Sequence, residues 1–186
     1  MNTLISIHNA VFNRLERLTQ PWLMPTLARL VFAGVLLMYF WASAMTKLGD
    51  GLFGFIFLSA GAYAQMFPIQ FEAASYNPSN IGFLYKLIAL FGTWAEFILP
   101  LLIVIGLFTR LAALGMIGFV IVQSLTDIVG HHADAATIGA WFDRASDALI
   151  LDQRAFWMLL LILLVVRGAG PLSADAYVLR DRHHAE

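Results

Sequence analysis

The sequence predicts an all-α integral membrane protein: an antiparallel four-helix bundle with amphipathic interfacial helices at its N- and C-terminal ends. Four apolar runs each approach the roughly 20 residues a helix needs to cross a bilayer. Hydrophobic residues make up 60% of the 186-residue chain and charged residues 12%, and the mean hydropathy is +0.78. That leaves too little polar surface for a water-soluble domain of this length. Basic residues also gather in alternate inter-span segments, the pattern of a multi-pass chain.

The elements follow in order within a single domain. Residues 1–25 carry an interfacial helix. Leu4, Ile7, Val11, Leu15 and Leu18 recur at spacings of three or four, with Asn13, Arg14, Glu16 and Arg17 elsewhere. That is the stripe of a helix lying in the headgroup plane. The charges at Arg14, Glu16 and Arg17 argue against a signal peptide, and Pro21 and Pro25 break the helix. The first span, about 27–48, has no charge between Arg29 and Lys47. The second, about 84–108, holds one acid, Glu96. Only Thr109 and Arg110 precede the third span, about 111–129, which forces an antiparallel hairpin. The fourth, about 153–172, is strongly apolar only from Ala155 to Val166. It reaches bilayer length if it continues through Gly168 to Leu172 while Arg154 extends to the headgroups; a half-buried helix is the alternative. Residues 173–186 form a tail, in which Ser173 suits an N-cap and Asp175 a first helical turn.

Orientation follows from the basic residues. Arg14, Arg17, Arg29, Arg110, Arg167, Arg180 and Arg182 fall on one side, and the long connections 49–83 and 130–154 contain only Arg144 and Arg154. Both termini are therefore expected in the cytoplasm. The first outer loop contains Phe53, Phe55, Phe57, Tyr63, Phe67, Phe71 and Tyr76, a density that suggests interfacial or re-entrant segments at the bundle mouth. The second carries Trp141, Phe142 and four acids, as a lid or docking surface would.

Several classes of chemistry are disfavoured. A net charge of −1 offers nothing to nucleic acid. With no cysteine, thiol relays, disulfides and iron–sulfur ligation are excluded. No histidine falls within a span, so intramembrane haem ligation is not expected. His131 and His132 with Asp134 lack useful ligand spacing, His183-His184 is a tail pair, and no metal site is expected. Walker, dinucleotide and serine-elbow motifs are absent.

Glu96 is the sharpest signal. It lies 14 residues from Arg110, hence ~20 Å from the turn. A carboxyl at that depth reads by default as functional, here in proton exchange; a carboxyl hydrogen-bonded only for packing is the alternative. Pro100 frees the carbonyl of Glu96 and favours a kink beside it. Tyr39, Phe40, Trp41 and Trp94 fall near its level, where they could hold a quinone ring or form ordinary core. Arg29 and Lys47 are 18 residues apart, five helical turns, and share a face. Lys47, Lys86 and Asp127 are expected at the outer boundary, as a salt-bridged cluster or as a proton route or anion-recognition site. Gln123, Asp127 and His131 form one stripe of the third span.

Three stretches resemble the DoxX family of small four-helix membrane proteins. Arg29 with Ser43-Ala44-Met45-Thr46-Lys47 is similar to the family's arginine and its Ser-Gly-x-x-Lys ending, with Ala44 in place of glycine. Glu96 followed by Gly106-Leu107-Phe108-Thr109-Arg110-Leu111-Ala112-Ala113 resembles its glutamate and Thr-Arg turn. Gly168-Ala169-Gly170-Pro171-Leu172-Ser173-Ala174-Asp175 resembles its close. The outer loops look longer than in compact members, and the N-terminal helix is additional. The resemblance implies quinone-linked redox chemistry in a bacterial inner membrane.

The expected function is thus an accessory membrane component of a quinone-linked redox system. Glu96 would exchange a proton and Arg110 would anchor the turn. No cofactor is covalently bound, and electrons would come from another membrane or periplasmic redox protein. The alternatives are a structural or assembly subunit and, third, a small-solute or proton transporter. Gly92, Gly115 and Gly118 would permit close helix approach, and with it an oligomer.

Overall fold

A computed structural model describes residues 2–183. His184 and the side chains of Arg180, Arg182 and His183 lie outside the described residues. Every regular element among the described residues is helical. Helix α1 spans Asn2–Thr19. The four spans are α2, Leu23–Met45; α5, Phe83–Ile105; α6, Thr109–Gly130; and α8, Leu149–Arg167. Two short helices, α3 (Ala60–Met66) and α4 (Pro68–Ala73), occupy the first long loop, α7 (Ala135–Ile138) the second, and α9 (Ala174–His183) follows the last span. The protein is a multi-pass membrane protein.

The spans form a closed ring: α2 packs on α5 and α8, and α6 on the same two neighbours. The main core occupies the half nearest the termini. Phe32, Leu36 and Phe40 of α2, spaced by one turn, meet Ile103 of α5, Ala113 and Met116 of α6, and Leu161 and Leu164 of α8. On the outside, Leu30, Val35, Met38, Phe91, Leu111, Leu114, Leu159 and Val166 remain exposed, the reversed pattern expected when lipid is the solvent. Leu4, Ile7, Val11, Leu15 and Leu18 of α1 are all exposed as well, as an apolar face turned to the membrane requires.

A polar knot holds the end that carries both termini. Arg29 donates to the carbonyls of Ile103, Val104, Ala169 and Leu172 at 2.6–3.2 Å. It thereby covers the last-turn carbonyls of α5 and ties them to the segment after α8. Gly106 takes a left-handed φ of +73° as α5 ends, and a Cβ there would meet Ser173 and Arg29. The α5–α6 turn therefore covers residues 106–108 rather than Thr109 and Arg110. Asp175 accepts from the backbone N–H groups of Phe108 (2.7 Å) and Thr109 (3.0 Å), capping α6 from across the chain. Ser173 caps α9 through Ala176 N–H. The fourth span begins earlier than expected and stops at Arg167, because Gly168 and Gly170 both adopt positive φ before Pro171.

At the opposite end the long loop folds onto the bundle. Tyr63, Phe71 and Ile81 bury against Ala89 of α5 as a second, smaller core. The glycine-clasped turn before it (Gly49 N–H donates to Gly54 O at 3.0 Å) displays Leu52, Phe53 and Phe57 outward. The expected aromatic, re-entrant packing is thus divided: some rings form this core, others face outward.

Candidate functional site

Between the two cores lies a cavity of about 520 Å³, well within the 300–1,000 Å³ range of small-molecule sites. Its position follows from the register of α2 against α5. That helix stops at Met45, and Ser43 lies opposite Glu96, which is 13 residues, or ~20 Å, inward from the start of α5. The α2 backbone therefore ends opposite the middle of α5. Helices α3 and α4 fill the outer half beside it, and the space they leave is the cavity.

The end of α2 supplies the inner wall. Lys47 Nζ meets Glu96 Oε2 at 2.8 Å and Oε1 at 3.0 Å, with both side chains only 4% exposed. The ammonium also donates to Ser43 Oγ (2.7 Å) and to the Ser43 carbonyl (3.1 Å). These contacts account for all three of its protons. Ser43 Oγ in turn lies 3.4 Å from Glu96 Oε1. One turn further inward, Tyr39 Oη accepts from Gln123 Nε2 of α6 at 3.1 Å, so its own proton is free to be donated. Gln123 Oε1 is buried without a partner. Leu99, Gly115 and Phe119 add apolar wall, and Gln65, Met66 and Phe67 roof the outer side. His131 Nε2 meets the Gln65 carbonyl at 2.9 Å, tying α6 to that roof.

A second ion pair lines the far wall. Arg154, at the start of the α-helical part of α8, is 3% exposed. It donates to Asp127 Oδ2 at 2.6 Å and to Ser124 Oγ at 2.9 Å, while its Nε stays unpartnered. Single π-helical turns, Thr126–Gly130 and Leu149–Gln153, contain Asp127 and immediately precede Arg154. Such insertions recur where a side chain must be re-aimed at a site.

The expected outer cluster of Lys47, Lys86 and Asp127 does not form. Lys47 pairs with Glu96 because α2 ends too deep to reach the boundary, and Asp127 pairs with Arg154, which turns into the bundle instead of extending to the headgroups. Lys86 stays half-buried near the loop, with Ser79 O as its hydrogen-bond acceptor at 3.4 Å. Of the four aromatics placed beside Glu96, only Tyr39 lines the cavity, and Phe40 belongs to the main core. Trp41 donates to the Phe97 carbonyl at 3.1 Å, beside the break left by Pro100, and Trp94 donates to the Phe55 carbonyl at 2.8 Å. The two indoles secure backbone on another side of α5. Arg29 and Arg110 lie at the other end of the bundle, where Arg29 binds carbonyls and the exposed Arg110 rests against Gly168. Ser43 and Arg154 are the residues that reading for charge and depth missed. The i, i+4 spacing of Ser43 and Lys47 was the available signal for the first.

No protein-family model matches this chain, and neither does any curated protein or solved structure.

Proposed function

We propose that the cavity binds the head group of a lipid-soluble quinone, and that the protein is the membrane component of a quinone-linked redox system in a bacterial inner membrane. The observation that carries this reading is a largely apolar, intramembrane cavity with a buried Lys47–Glu96 pair and two hydroxyl donors on one helix face. Tyr39 and Ser43 are four residues apart, so both project from one face of α2 into the cavity lining. Tyr39 would donate its free proton to one quinone oxygen, and Ser43 Oγ, which otherwise donates to Glu96 Oε1 at 3.4 Å, would turn from the carboxylate to the other.

A bound quinone supplies a two-electron, two-proton couple. The chain's own part is to hold and move protons. Glu96 accepts or releases a proton while Lys47 keeps the carboxylate charge compensated, and Ser43 links the pair to the ligand. The described residues include no group of His, Asp or Glu able to hold a metal, and the sequence has no thiol, so electrons come from a partner, a membrane or periplasmic redox protein. The sequence resemblance to DoxX proteins supports the same assignment, and the arginine asymmetry supports cytoplasmic termini.

Quinone titration of purified protein in nanodiscs, read by quenching of intrinsic fluorescence, tests the proposal. Saturable binding is expected, weakened about tenfold when Tyr39→Phe and Ser43→Ala are combined, since two hydrogen bonds of ~0.5–1.5 kcal/mol each are lost. An absence of saturable binding refutes it. Glu96→Gln separates this reading from a purely structural subunit: redox turnover of the intact complex should fall while the complex still assembles.

A further inference from the structure

We infer that the cavity is reached sideways from the hydrocarbon, through a window between α5 and α6 bordered by Gly118, and that its ligand is a tailed amphiphile whose tail leaves through that window. This rests on the quinone reading only for the chemistry of the head group.

The two ends of the cavity differ. Its outer side is roofed by Gln65, Met66 and Phe67, and the His131–Gln65 contact ties that roof down. Its flank is open. Ile88 on α5 and Val122 on α6 line the cavity, yet they are 47% and 61% exposed. Gly115 and Gly118 line it and are exposed too. A Cβ on Gly118 would meet no atom within 4 Å, so the absence of a side chain there leaves a gap in the wall. Gly118 sits near the middle of α6, so the gap faces acyl chains, not headgroups or water. From this gap the lining changes from apolar (Leu99, Phe119) to the Ser43–Lys47–Glu96 group and the unpartnered Gln123 Oε1. A polar group reached through an opening at hydrocarbon level suits a molecule with a small polar head and a long apolar tail.

The test uses reconstituted full-length protein, wild type and Gly118→Trp, with Gly118→Ala as a control and Val122→Trp as a second block of the same opening. A small aryl-diazirine dissolved in the hydrocarbon is photolysed and the modified residues are mapped. Labelling at Glu96 is expected in the wild type and Gly118→Ala, and should fall at least fivefold in both tryptophan variants. In parallel, Gly118→Trp should weaken a decyl-tailed benzoquinone at least tenfold and the tail-less head group less than threefold. If Glu96 is unlabelled in the wild type, or labelled equally in both tryptophan variants, the window is refuted whatever the quinones do. If labelling behaves as expected but neither quinone binds the wild type, the window stands and the quinone reading fails. If the native protein is an oligomer that Gly118→Trp dissociates, a second copy covers the gap and the inference is overturned.

Discussion

Replacing either member of the Lys47–Glu96 pair should be far more harmful than replacing both. At 2.8 Å, and with an effective dielectric of about 20, the Coulomb attraction is about 6 kcal/mol. The pair also suffers a desolvation cost of several kcal/mol per ion. Glu96→Gln leaves the buried ammonium uncompensated, and Lys47→Met leaves a buried carboxylate holding little more than Ser43. Each single change should cost about 3–5 kcal/mol, whereas the Lys47→Met, Glu96→Met double variant should lie near wild type or be stabilised by up to about 4 kcal/mol. The coupling is then about 6 kcal/mol or more, close to the Coulomb value. Denaturation by sodium dodecyl sulfate of protein held in mild detergent measures all four corners of the cycle. The double variant should nevertheless have lost the proposed quinone-linked proton exchange, so stability and function would separate. If Glu96→Gln is within about 0.5 kcal/mol of wild type, the carboxylate is not a buried counter-charge and the electrostatic reasoning is wrong.

Other consequences follow from the two ends of the bundle. Asp175→Ala should cost about 1–2 kcal/mol by uncapping α6, measured by the same denaturation, and Asp175→Asn should recover part of it. Gly106→Ala should cost at least the 1–3 kcal/mol of a strained positive φ; its Cβ would also displace Arg29, so protease cleavage near the α5–α6 turn should accelerate. Burial pushes the Tyr63 phenol above its usual range. The neutral form is favoured in the folded state, so this contribution is complete below about pH 10 and is lost as pH rises through the folded value. Alkaline melting curves should therefore fall more steeply for wild type than for Tyr63→Phe.

The sequence made the solvent legible more readily than the site. Uncharged apolar runs require no tertiary information, so the four spans emerged within a few residues. The exceptions are instructive. The fourth span's start was displaced because Arg154 was assigned to headgroups, although Asp127 in another span was an available partner. A single chain shows that both charges exist but not which helices adjoin. Glu96 was legible because a carboxyl at mid-bilayer is conspicuous wherever it points. Trp41 and Trp94 were misplaced because depth alone cannot distinguish one face of α5 from another, and both indoles had backbone carbonyls to satisfy. Ser43 was overlooked for the opposite reason: a serine in an apolar helix carries no charge, and its importance comes only from Lys47 one turn later.

The register of the first span connects these features. Counting 18 residues from Arg29 to Lys47 assumes that both ends of α2 lie at bilayer boundaries. They do not, because α2 stops opposite the middle of α5. A span that ends within the bilayer must cover its last carbonyls and fill the space above it. Lys47 turns back one helical turn to bond the Ser43 carbonyl, and α3 and α4 fold in to occupy the outer half. Met66 of α3 then comes against Gly92 of α5, where any larger residue would push the roof outward. The same register that makes the helix end costly thus places an ammonium opposite the middle of α5, and such a buried charge persists only beside a carboxylate. Glu96 is that partner. Extending α2 by a turn, by replacing Gly49 and Gly54 with leucine, should therefore lift Lys47 away from Glu96, collapse the cavity and abolish ligand binding even though every cavity-lining residue remains in the sequence.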